Sequence, residues 1–161
     1  DIENIYLKSL KSNKPTLIIE NKILYSKEQL QTKDLPIFQN PDVICVGYGG
    51  VVDFCVESSK ELLEEEEINV SVYNLNNLNP FQSSKIKDLS RLSKKFVFVE
   101  EACGEWGFSE MCKSSLTGIN DIKTISIKGP SHPLPSSKNW ELELLPNKNK
   151  IKKAIIELYK I

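Results

Sequence analysis

VFVEEACGEWGFSEM, Val97–Met111, runs from an apolar strand through two adjacent glutamates into the start of a helix. Phe96-Val-Phe-Val99 is a continuous apolar run, the kind buried on both faces of a parallel sheet. From Gly107 to Leu116 the spacing predicts a helix, closed by Gly118 as its C-cap. A strand that passes through a short turn into a helix is the repeating unit of an α/β fold. The stretch therefore points to the fold class. It also places Glu100 and Glu101 at the carboxyl end of a strand, where parallel sheets carry active-site groups.

The same alternation extends in both directions. Val43-Ile-Cys-Val46 is another apolar strand, followed by the turn Gly47-Tyr-Gly-Gly50 and a helix over Val51–Glu66, with Val51, Cys55, Ser59 and Leu62 near one face. Val70–Tyr73 reads as a strand, Phe81–Leu92 as a helix, Ile122–Ile127 as a strand and Asn147–Lys160 as a final helix. A proline-rich loop fills 128–146. Such an order predicts a mostly parallel sheet with helices on both faces and right-handed crossovers. Upstream, Thr16–Glu20 reads as a short strand, and 21–42 has the polar, proline-containing composition of a linker. Ile2, Ile5, Leu7 and Leu10 recur at helical spacing from the first residues, and no methionine opens the chain. A cut-down or processed chain is the expectation.

Composition narrows the classes of function. The chain has 161 residues, 27% of them charged, and a net charge of −1. It carries no basic excess to hold a phosphate backbone, so nucleic acid is not an expected partner. No apolar run approaches the length of a membrane span, and no signal peptide opens the chain. The expected location is cytoplasmic, with no membrane partner. The four cysteines, Cys45, Cys55, Cys103 and Cys112, form no CxxC pair. With a single histidine, His132, they predict a reduced chain without a metal site.

Each candidate site has a plainer alternative. Gly47-Tyr-Gly-Gly50 sits where a phosphate could meet a helix N-terminus. The third glycine of GxGxxG is replaced by Val52, and no phosphate-loop lysine follows, so a tight turn is the better reading. Glu64–Glu67 reads as a solvated run at a helix end. Glu100 and Glu101 could split their pKa values as acid and base. Neighbours on a strand point to opposite faces, however, so a shared proton is disfavoured. At least one is expected to cap the following helix turn or to face a neighbouring subunit. His132 is wedged among prolines in Gly129-Pro-Ser-His-Pro-Leu-Pro135, with no nucleophile motif nearby. Trp106, Phe108 and Trp140 are aromatics beside turns, suited to an interface or to the core.

Five segments in order resemble one family. They are Leu17-Ile-Ile-Glu-Asn-Lys-Ile-Leu-Tyr25, Val43-Ile-Cys-Val-Gly-Tyr-Gly49, Tyr73-Asn-Leu-Asn-Asn-Leu-Asn-Pro80, Val99-Glu-Glu-Ala102 with Gly107, Phe108 and Glu110, and Gly129–Pro135 with Leu142 and Pro146. They resemble the C-terminal domain of the transketolase-like, thiamine-diphosphate-dependent enzymes, most of all the beta subunit of 2-oxo acid dehydrogenase E1 components. Asn74, Asn76, Trp106 and Ser131 depart from the family's usual residues.

The resemblance implies a three-layer α/β/α sandwich on a mostly parallel five-stranded sheet that admits one antiparallel edge strand. It implies that residues 1–39 are the tail of a pyrimidine-binding domain plus linker, and that 40–161 form the transketolase C-terminal-like domain. It also implies that thiamine diphosphate and Mg belong to the parent enzyme, held by a Gly-Asp-Gly motif absent from this chain. No catalytic, cofactor-binding or metal residue is then expected here, and the fragment alone is not expected to be an enzyme. Glu100, Glu101, Trp106, Phe108 and His132 become interface candidates. The implied partners are an E1 alpha-like subunit or domain, a second beta subunit and an E2 acyltransferase core. A free-standing interaction or regulatory domain, or part of a ketol transferase, are the other readings. The Glu20–Tyr25 segment leans toward the dehydrogenases.

Overall fold

The computed structural model describes residues 2–22, 25 and 34–161. After a helix α1 (Ile2–Lys11), the chain builds β1 (Val43–Gly47), α2 (Val51–Glu66), β2 (Val70–Asn74), α3 (Ser83–Leu89), β3 (Lys95–Cys103) and α4 (Phe108–Ser115). Strand β4 (Lys123–Gly129) and helices α5 (Lys138–Leu144) and α6 (Lys148–Tyr159) complete it.

The sheet has the order β2-β1-β3-β4, and every pair is parallel. Apolar alternation assigns its two faces. Val43, Cys45, Val97 and Val99 pack with Val51, Cys55 and Leu62 of α2 and with Ile151 and Ile155 of α6. Ile44, Val46, Phe96 and Phe98 pack with Ile86 of α3 and Cys112 of α4. All of β1 is buried, which explains why its sequence is apolar at every position. This is the expected three-layer α/β/α sandwich.

The expected five strands are four among the described residues, all parallel. The segment before β1 crosses the β2 edge with one ladder-like bond, from the Val72 N–H to the Pro36 carbonyl at 2.9 Å. Pro36 has no N–H to return, and a single bond does not make a strand. Thr16–Glu20 is not a strand either. Leu17 and Ile19 stand 84% and 81% exposed, so strand-like composition finds no sheet to join. Ile5 is half-buried on α1, whereas Leu7 and Leu10 are exposed; the side chain of Ile2 lies outside the description. Ile23 and Leu24 of the Leu17–Tyr25 segment, and residues 26–33 of the expected linker, also lie outside it.

Two helices differ from expectation. The predicted helix Phe81–Leu92 shortens to α3, which begins beyond Gln82. The loop expected over 128–146 contains α5, which has no buried residue and so lacks the apolar periodicity by which sequence reveals a helix.

Candidate functional site

Order reverses between β1 and β3: from β1 the chain crosses outward to β2, then returns to place β3 on the other side. In open α/β sheets, ligands bind at the carboxyl ends of the strands at such a switch point. Here that region is made by Gly47–Gly50, the end of β3 and the loop leading to α4.

Phe96 and Phe98 face α3 and α4, so alternation turns Glu100 to the same side. Glu100 is only 1% exposed. Its Oε2 accepts the Phe108 N–H and its Oε1 accepts the Ser109 N–H, each at 2.9 Å. Those are orphan donors in the first turn of α4, and an acid beside them also meets the positive end of the helix. No side chain of α4's own N-cap bonds there, so Glu100 replaces the local cap. Gly107 makes the approach possible: a Cβ on it would lie 2.5 Å from Glu100 Oε2.

Glu101 is exposed and turns the other way, toward the start of α2, with Oε1 3.9 Å from where a Gly50 Cβ would sit. The two carboxylates diverge and cannot share a proton. Tyr48 packs edge-on against Phe108 with centroids 5.0 Å apart. Its hydroxyl pKa is raised by burial first, then by the negative charges of Glu100 and Glu101.

The turn Gly47–Gly50 leads into α2 without a side-chain cap from Gly50. The place beside Gly50 is taken by the chain itself: a Cβ there would lie 2.7 Å from Asn21 Nδ2. No spacing in the sequence links Asn21 to a turn so far downstream, and sequence reasoning missed it. Glu20, its neighbour, accepts the Tyr6 hydroxyl at 2.6 Å and the Tyr25 hydroxyl. Those two bonds, Tyr25's first, lower the Glu20 pKa.

Of the interface candidates, Glu100 and Phe108 are buried within this chain, where Phe108 belongs to the α3/α4 core. Glu101, Trp106 and His132 are exposed. Trp106, 89% exposed, borders a cleft of about 570 Å³ with Phe81, Met111 and Ser114. His132 Nδ1 lies 3.1 Å from the Pro133 carbonyl. Among the described residues no cluster of three or more His, Cys, Asp or Glu side chains could hold a metal ion. Asn74, at the end of β2, keeps a buried Oδ1 without a hydrogen-bond partner among the described residues.

Fold and strand-end geometry define an open α/β domain whose best-placed carboxylate is a helix cap. Residues 36–151 match the family described as "Transketolase, C-terminal domain", and the chain belongs to that family. It is 25% identical over 158 residues to the mitochondrial pyruvate dehydrogenase E1 component subunit beta of Dictyostelium discoideum, a match covering 88% of this chain and 44% of that protein. The chain thus spans less than half of that relative's length. A split-gene transketolase, solved as an inactive beta4 tetramer, shares the fold with a TM-score of 0.67 and 19% identity, over 75% of this chain and 40% of that one.

Proposed function

We propose that the chain is the non-catalytic C-terminal part of a thiamine-diphosphate-dependent 2-oxo acid dehydrogenase E1 beta-like subunit, serving subunit assembly and docking. The parent enzyme oxidatively decarboxylates a 2-oxo acid, and the cofactor supplies that chemistry. The observation that carries the non-catalytic reading is the binding of both Glu100 oxygens by α4 N–H groups, which leaves the obvious acid or base engaged. Family membership and the likeness to a pyruvate dehydrogenase E1 beta subunit support the parent class. On this reading residues 1–39 are the end of a pyrimidine-binding domain with its linker, and 40–161 are the C-terminal domain.

The residues present do not fit the cofactor. Thiamine diphosphate requires oxygen ligands for its cation and a cradle for its phosphates. No group of three or more His, Cys, Asp or Glu side chains that could hold a metal ion exists among the described residues, and Asn21 fills the place beside Gly50 where a phosphate would sit. No step of the reaction is therefore assigned to this chain.

Its partners on this reading are an E1 alpha-like subunit, a second beta-like subunit and an E2 acyltransferase core. Glu101, Trp106 and His132 lie on loops or strand ends at one end of the sheet and supply the contact, with Trp106 as its anchor. Glu100 and Phe108 shape that corner from beneath. No helix among the described residues is long and apolar enough to cross a membrane. A cytoplasmic location remains our reading, although the Dictyostelium relative is mitochondrial.

Two measurements test the proposal. Calorimetric titration of thiamine diphosphate with Mg²⁺ into the chain is expected to give no heat; saturable micromolar binding would refute the non-catalytic reading. Sedimentation is expected to show self-association weakened about tenfold or more by Trp106→Ala, the loss typical of an anchor residue. Self-association indifferent to that change would remove the Trp106 face from the assembly.

A further inference from the structure

Strand β4 ends the sheet, and no strand among the described residues pairs with its outer edge. The Lys123 N–H turns inward, donating to the Lys94 carbonyl at 2.8 Å. Backbone groups alternate in direction along a strand, so Thr124, Ser126 and Lys128 turn their N–H and C=O groups outward. Such a row is a template for another strand.

Beside this edge lies a cleft of about 280 Å³ between β4 and α6. Ile125, Ile127 and Ala154 make its walls apolar, and Lys128, Lys150 and Lys153 stand around it against the single acid Glu157. Lys128 is 3.6 Å from Glu110, and Lys150 Nζ donates to the Leu144 and Leu145 carbonyls at 2.8 and 3.1 Å. Lys153 has no counter-ion among the described residues. The uncompensated charge beside the edge is therefore positive. β4 itself carries Lys123 and Lys128 and no acid. Laying a second copy's β4 alongside would crowd like charges, whereas an acidic strand would be welcomed.

We propose that the β4 edge and its lysine-rimmed cleft take up an extended acidic segment of a partner protein as an added strand. Main-chain bonds to Thr124, Ser126 and Lys128 supply the affinity. The apolar walls take alternate side chains, and the lysines select the sign of charge. This surface is separate from the Trp106 cleft and stands or falls independently of it.

A short fluorescein-labelled peptide of alternating glutamate and valine, titrated with the full chain and followed by anisotropy, tests the idea. Saturable binding is expected. It should weaken about tenfold when alternate peptide nitrogens on the pairing side are methylated, since each lost bond is worth a factor of about two to ten. It should weaken similarly when lysine replaces the peptide's glutamates, and to a smaller degree in the variant Lys153→Glu with an unchanged melting temperature. The peptide arms need no variant protein. No saturable binding at millimolar peptide, or binding indifferent to methylation or to charge, would overturn the proposal. So would self-association of the chain that Ser126→Pro abolishes, because a second copy would then occupy the edge.

Discussion

Replacing Glu100 by glutamine keeps the side chain's shape but exchanges one acceptor oxygen for a donor. Either the Phe108 or the Ser109 N–H then loses its partner in a buried place. The expected cost is about 1–3 kcal/mol of stability. Gly107→Ala should cost a similar amount, because its Cβ would meet the Glu100 carboxylate at 2.5 Å. The backbone there is extended (φ −160°), a conformation any residue adopts, so the cost comes from space alone. In a Glu100→Ala background the clash disappears, and Gly107→Ala should then cost less than about 0.5 kcal/mol. Urea unfolding midpoints at constant slope measure all three. Strictly additive costs would mean that Gly107 is not making room for this carboxylate. The sequence alone shows that the two glutamates must diverge. Which one turns inward depends on which face of β3 meets α4.

At the scale of elements, α2 ends on Glu67 in the left-handed region, φ 56°, and the Ile68 N–H then reaches back to the Leu62 carbonyl at 3.1 Å. Glycine holds that conformation without strain, and the change also removes an acid from the negative end of a helix. Glu67→Gly should stabilise the protein by about 0.5–1 kcal/mol, seen as a higher melting temperature. A lower one would mean that Glu67 makes a contact worth more than the strain.

Helices α2 and α6 are joined by Glu61, which receives Lys148 Nζ at 2.7 Å and Lys152 Nζ at 2.8 Å, while Lys152 also reaches Glu65. Lys148 first, then Lys152, lower the Glu61 pKa. A carboxylate with a depressed folded pKa contributes stability above its unfolded value, near 4.3. That contribution is lost as pH falls through the folded value. The melting temperature of wild type should therefore exceed that of Glu61→Gln at neutral pH, and the gap should close on acidification below about pH 4. Added salt should shrink it. A gap that persists in acid would assign the effect to packing.

Across the whole molecule, the cysteines report how the layers close. Cys45, Cys55 and Cys112 are buried and Cys103 is exposed. The hydrogen bond with Cys45, then burial, push the Cys55 thiol up; burial, then the Glu100 charge, push up Cys112. A thiol reagent should label one cysteine in the native protein and all four after denaturation. Fast native labelling of a second cysteine would mean that one helical layer opens readily.

Apolar runs at Val43–Val46 and Phe96–Val99, with a further strand at Val70–Tyr73 and helical spacing between them, determined a parallel α/β sandwich, because central strands buried on both faces are apolar throughout. Most of the family likeness was legible for the same reason: the segments beginning at Val43, Tyr73, Val99 and Gly129 start in strands and run into the turns after them, where residue type is constrained. Only the tertiary structure decided that Thr16–Glu20 joins no strand among the described residues, that the segment at Pro36 makes no fifth strand there, that Asn21 fills the place beside Gly50 and that Glu100 caps α4. Each of those depends on segments distant in the chain meeting at a fixed distance, and local pattern carries no record of where a distant segment comes to rest.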